Sequence, residues 1–141
     1  MTDKQKQIEQ VIDRLKTAYI TSIDTDGFPN TKAMFAPRKR NGLKEFWLTT
    51  NTSSAKVAQF KDNPKACLYF SERGRFAFHG ITLIGTMEVL TDPESKQMIW
   101  QDGDTMYYEK GVTDPDYCVL KFTATKCRYY TNLKKVEFPI E

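Results

Sequence analysis

Between Phe46 and Pro64 the chain reads FWLTTNTSSAKVAQFKDNP, and this stretch holds the residue types best suited to bind an anion. An apolar, strand-like run (Phe46, Trp47, Leu48) passes into five hydroxyls: Thr49, Thr50, Thr52, Ser53 and Ser54. A helix-like segment follows, with Lys56 in its first turn. Strand, hydroxyl turn and helix start would aim backbone N–H groups, side-chain hydroxyls and one ammonium at a single point, as a bound phosphate requires. The same residues also suit an ordinary helix start, with Ser53 or Thr52 as N-cap and Lys56 in solvent. What surrounds the stretch has to decide.

Other candidates are weaker. His79, in FAFHGIT, alternates with apolar neighbours and suits a half-buried strand residue; no carboxylate beside it in sequence would orient it as a catalytic base. Cys67, Cys118 and Cys127 form no CxxC pair, and with one histidine they make no convincing zinc site; buried, unreactive thiols are expected. Arg38-Lys39-Arg40, next to Asn41-Gly42, reads as a solvated hairpin tip. Asp102-Gly103-Asp104 and Asp114-Pro115-Asp116 read as loops without metal-ligand density. Trp47, Trp100, Tyr107, Tyr108, Tyr129 and Tyr130 are expected in the core or in an interface, none singled out as a stacking partner. No Ser-His-Asp, HExxH, P-loop or GxGxxG pattern occurs, which leaves hydrolase and nucleoside-triphosphatase readings unsupported.

The elements that must position these residues follow from length and periodicity. A chain of 141 residues suits one domain with a real core. Its 13% aromatic and 28% charged content is that of a folded protein. No apolar run approaches the roughly 20 residues that span a bilayer, and the polar start MTDKQKQ does not read as a signal peptide, so a cytoplasmic protein is expected. Ile8, Val11, Ile12 and Leu15 recur at helical spacing within an N-terminal helix of about residues 4–17. Six strands are expected: about 18–24, 28–37, 45–50, 65–71, 76–90 and 117–132. Asp24-Thr25-Asp26-Gly27 and Arg40-Asn41-Gly42-Leu43 carry hairpin signals, and Gly80 or Gly85 could permit a bulge. Helices are expected over about 54–61 and from Asp92-Pro93-Glu94 to about Gln101. Strands joined by hairpins, with helices inserted, point to a mainly β fold: an antiparallel barrel flanked or plugged by the first helix.

In this order the chain resembles the flavin mononucleotide (FMN)-binding split-barrel family typified by pyridoxamine 5′-phosphate oxidase, and most closely its short, general-stress-protein branch. The resemblance runs from about Ile12 to Asn132. It is carried by AYITSIDTDGFPNTKAM, the FWLTTNTSSAKVAQFKDNPKACLYF block, ITLIGTMEVL and DPDYCVLKFTATKCRYY. It implies a six-stranded antiparallel split β-barrel, a homodimer and an FMN site at the subunit interface. Ser54 and Lys56 match the residues that hold the phosphate, with Ser53 as a helper, and Thr49 and Thr50 would face the ribityl chain. Lys32, Ala33 and Met34 lie on the strand that meets the ring, and His79 and Gly80 fall where the partner contributes. Two departures concern flavin affinity: Lys32 stands where the family usually has arginine, and Ala55 replaces another arginine, so a bidentate fork and a cation are lost.

The resemblance implies an oxidoreductase whose chemistry belongs to the flavin. Vitamin B6 oxidation is not implied: after Tyr130 only eleven residues remain, with no histidine and no arginine among them, so the family's substrate-phosphate element is missing. A carrier or sensor of a flavin, deazaflavin or haem is the second reading. An oligonucleotide-binding barrel is a distant third, because 21 basic against 18 acidic residues, a net +3, supply no basic groove.

Overall fold

The computed structural model describes residues 2–141 as one eight-stranded antiparallel sheet with three α-helices. The first helix, α1 (Asp3–Arg14), begins with a capping box: Thr2 accepts from the Gln5 N–H, and the Gln5 side chain accepts from the Thr2 N–H. Its apolar stripe, Ile8, Val11 and Ile12, is buried in the main core. Arg14 grips Glu72 with two hydrogen bonds, while Arg40 pairs with both Glu9 and Asp13, so ion pairs at two points fasten the helix to the sheet.

Strands β1 (Thr17–Ile23) and β2 (Pro29–Phe35) form a hairpin with Thr17 opposite Phe35 and Ile23 opposite Pro29. At its turn Asp24 accepts from the amides of Asp26 and Phe28, and Gly27 takes φ 83°, which explains the glycine there. β3 (Lys39–Asn41) and β4 (Glu45–Asn51) make the second hairpin, followed by α2 (Ala55–Asp62) and β5 (Lys65–Arg73). β6 (Phe78–Leu90), α3 (Pro93–Ile99), β7 (Tyr117–Thr131) and β8 (Lys134–Pro139) complete the chain. The sheet order is β2-β1-β5-β6-β7-β4-β3, with β8 also on β7. β2 and β3 end this path without pairing to each other, so the barrel is split.

β7 organises the sheet. One edge pairs with β6; the other pairs with β4 through residues 117–123 and with β8 through 126–131. The change of partner coincides with a bulge, because Ile84 faces Lys126 while Gly85 faces Ala124. A Cβ at Gly85 would lie 1.9 Å from the Thr123 carbonyl oxygen, so of the two expected glycines it is Gly85 that the bulge requires. Phe46, Phe70 and Phe122 stack in tilted pairs at the centre of the core, and Val57 and Phe60 of α2 pack into it.

The strand count departs from the six expected. The second strand stops at Phe35, and β3 is a separate short arm after Pro37, which has no N–H to extend a ladder. β8 was not anticipated. Its hairpin turn is Asn132-Leu133, both at positive φ (50° and 62°), and a leucine there gives no turn signal. The charged run 38–40 is likewise not a solvated tip. Arg40 holds α1, Lys39 lies over Trp47, and Arg38 is partly buried and paired with Asp104.

Candidate functional site

A cavity of about 400 Å³ opens where the ends of β2 and β4 meet the start of α2 and the segment after α3. Its first side is the hydroxyl corner. β4 delivers Thr49 and Thr50 in register with Val119 and Cys118 of β7, and the chain then turns into α2. Thr50 is buried, Thr49 is half-buried, and both line the cavity together with Asn51 and Lys56.

Asp116, just before β7, holds the turn in place. Its carboxylate accepts from Asn51 Nδ2 (2.9 Å) and the Ser53 N–H (2.8 Å), and its carbonyl accepts from the Thr52 N–H (2.7 Å). Those contacts, led by the Asn51 bond, hold the Asp116 carboxyl below its ordinary range. The Ser54 N–H and hydroxyl both donate to the Asn51 carbonyl. Ser54 is therefore the N-cap by backbone position, but its side chain caps nothing. Of the turn's donors, the amides of Ala55 and Lys56 keep no partner among the described residues.

Lys56 is half-buried and has no carboxylate within ion-pair distance among the described residues. Burial pushes its ammonium below the ordinary lysine range, and the nearby charge of exposed Lys32 adds to the shift. A cation kept partly out of water without a counter-ion, at a helix start whose first two amides are open, is a donor set that fits a phosphate.

The second side of the cavity is aromatic. Phe35 of β2 and Tyr107 contact each other, ring centres 5.7 Å apart, and stay 62% and 51% exposed. Tyr108 is buried against Tyr117 and Trp100. Burial pushes the Tyr108 phenol up to about 12, the Thr49 hydroxyl partly offsetting it, so it stays neutral and protonated at neutral pH. Beneath this wall the Arg38 guanidinium forms two parallel hydrogen bonds to Asp104, both 2.9 Å, and a third to the Ile99 carbonyl. Side-chain exposure of 14% for Arg38 and 5% for Asp104 leaves the pair largely shielded from water. Asp104 also accepts from the Gln101 N–H, and the Arg38 bonds hold its carboxyl below the usual range.

Five of the ten expected site residues therefore share one cavity: Ala33, Met34, Thr49, Thr50 and Lys56. Lys32 does not line it, though its charge reaches Lys56. Ser53 and Ser54 belong to the turn, with their amides and the Ser54 hydroxyl already bonded. His79 and Gly80 lie elsewhere in the protomer. His79 Nδ1 is 2.7 Å from the Tyr129 hydroxyl and stands opposite Glu72 in register, a carboxylate neighbour that only strand pairing supplies. Gly80 borders a second groove of about 600 Å³ with Tyr69, Phe78 and Tyr130.

Sequence reasoning missed Phe35, Arg38, Asp104, Tyr107, Tyr108 and Asp116. Only the aromatic character of Tyr107-Tyr108 hinted at a wall. Among the described residues no group of three or more His, Cys, Asp or Glu side chains could hold a metal ion, and no helix is long and apolar enough to cross a membrane.

Comparison with known proteins agrees with this architecture. The sequence pattern of the family described as pyridoxamine 5′-phosphate oxidase matches residues 5–131. A crystal structure from Clostridium acetobutylicum is 42% identical, with TM-score 0.88, over 99% of this chain and 97% of that one. It is described as a protein related to general stress protein 26 of Bacillus subtilis, of the pyridoxinephosphate oxidase family. General stress protein 26 from Bacillus anthracis shares the fold at 15% identity, with TM-score 0.77 over 97% of this chain and all of that one. A haem-binding protein from Mycobacterium smegmatis does so at 14% identity, with TM-score 0.78 over 99% of this chain and 59% of its own. No curated protein matches. With its split antiparallel sheet and a match over nearly its whole length, the chain belongs to the pyridoxamine 5′-phosphate oxidase family.

Proposed function

We propose that the cavity binds flavin mononucleotide and that the protein is a flavin-dependent oxidoreductase. The observation that carries this reading is Lys56: a half-buried ammonium without an ion-pair partner among the described residues, in the first turn of a helix whose first two amides are open, in the cavity that also holds Thr49, Thr50, Ala33 and Met34. Lys56 and the amides of Ala55 and Lys56 would hold the phosphate. The hydroxyls of Thr49 and Thr50 suit the ribityl chain, and the strand from Lys32 to Ala36 suits the polar edge of the ring. Bound flavin would supply two-electron transfer; the protein's part is to anchor, orient and exclude water. Tyr108, neutral at physiological pH, would offer a hydroxyl rather than a charge.

Lys32 and Ala55, in place of arginines, leave Lys56 as the main cationic anchor. The proposed assembly is a homodimer in which His79 and Gly80 of the partner subunit approach this cavity. Such an arrangement would give those two residues a role that a single protomer does not.

The test is a titration of flavin-free protein with FMN and with riboflavin, followed by flavin fluorescence. FMN should bind more tightly than riboflavin in the parent, and Lys56→Ala should remove most of that difference. Equal affinities for the two flavins in the parent would take the phosphate out of the corner. Bleaching of bound flavin by a nicotinamide donor, with reoxidation by an acceptor, would mark turnover; bound flavin that never cycles would mark a carrier.

A further inference from the structure

The aromatic side of the cavity carries a consequence of its own. Phe35 and Tyr107 contact each other at the opening and are more than half exposed in the single protomer. Among the described residues that line the cavity, the one cation on that side is Arg38; two hydrogen bonds to Asp104 match its charge, and it donates a third to the Ile99 carbonyl. Lys56, the other cation lining the cavity, stands at the hydroxyl corner, where the flavin reading assigns it to a phosphate. An anionic second ligand on the aromatic side would thus lose water without meeting a free positive charge, which is costly.

Resting on the flavin reading, we infer that Phe35 and Tyr107 form the subsite for the reacting partner, and that this partner is an uncharged planar ring compound, not a phosphorylated or sulfonated one. The neutralising carboxylate is the selectivity element. Asp104 cancels the guanidinium that would otherwise attract an anion, while the bonds it accepts from Arg38 and the Gln101 amide tie down the segment that bears Tyr107.

The experiment is calorimetric. Menadione (2-methyl-1,4-naphthoquinone) and 1,4-naphthoquinone-2-sulfonate are titrated into the FMN-loaded parent, Tyr107→Ala and Phe35→Ala, with FMN affinity and mass by light scattering measured on the same samples. Menadione should bind the parent at least tenfold more tightly than the sulfonate. Each aromatic deletion should weaken menadione about tenfold; Tyr107→Ala, which lies off the strand assigned to the flavin ring, should do so while FMN affinity falls by less than threefold. Asp104→Asn, if it folds, should shift the ratio at least tenfold towards the sulfonate.

Menadione affinity unchanged by both deletions, or tighter binding of the sulfonate by the parent, would overturn the inference. So would a deletion that weakens menadione only by dissociating an oligomer. A parent that takes up no FMN would end the flavin reading instead, and the same two titrations on the flavin-free protein would then decide the subsite alone.

Discussion

The two sides of the cavity are built in opposite ways. The hydroxyl corner comes from one continuous stretch, Thr49 to Lys56, in which a strand end, a turn and a helix start bring their donors together by local geometry. The aromatic wall is assembled from Phe35 and Arg38 on one part of the chain and Asp104, Tyr107 and Tyr108 on another, joined across 66 residues by a largely shielded ion pair. The corner keeps a charge without a partner and so is poised for an anion. The wall spends its one charge on an internal carboxylate and is left neutral. The difference teaches that residue type says little about available charge: Lys56 and Arg38 are both partly buried, yet Lys56 is free and Arg38 is occupied.

The largest expected effect strikes the wall. Asp104→Asn leaves a buried guanidinium short of its counter-charge and should cost about 3 kcal/mol in urea unfolding, with the corner's fold retained in what remains native. An unchanged unfolding midpoint would mean that Arg38 finds water or another acceptor. The pair also sets an acid limit. Because the Asp104 carboxyl is held below its ordinary value of 3.8 in the folded state, its stabilisation is complete above that value and is lost as pH falls through the lower, folded one. Acid titration of stability should therefore be steeper in the parent than in Asp104→Asn.

Next comes the corner. Lys56→Ala should weaken FMN by roughly 1.5–3 kcal/mol, a charge-assisted contact, without lowering stability, since the folded state pays to keep that ammonium half-buried. A large loss of stability would recast Lys56 as a structural residue. Its depressed pKa has a second consequence. FMN affinity should decline as pH rises through a value below the ordinary 10.5, and this dependence should vanish in Lys56→Ala.

The smallest effect lies outside both sides and serves as a control. Leu133, at φ 62° and 88% exposed, is strained in the β7–β8 turn. Leu133→Gly should raise stability by about 0.5–1 kcal/mol and leave FMN binding alone. A change in flavin affinity there would show that the end of β7 communicates with the cavity.

Much of the architecture could be read in advance, for definite reasons. Ile8, Val11 and Ile12 recur at helical spacing, and Asp24-Thr25-Asp26-Gly27 and Asn41-Gly42 carry turns that only a few residue types adopt. Asp92-Pro93 starts α3, with Asp92 accepting from the Ser95 N–H as a helix cap should. β8 escaped notice because Asn132-Leu133 enters a tight turn at a cost that tertiary pairing with β7 offsets. Lys56 and the threonines were visible because their chemistry is local. Asp116 was not: it read as a loop carboxylate, and only folding sets it against the Asn51 side chain and the Ser53 amide.

By itself the sequence determined the periodic elements, the turn sites and the identity of the donors from Thr49 to Lys56, since each depends on neighbours a few residues away. Tertiary structure alone decided which of those donors remain unengaged, that Arg38 is silenced by Asp104, and that Phe35 and Tyr107 share one opening. Those outcomes depend on which distant groups meet and which are removed from water, and a charge or an amide acquires its function only once that competition is settled.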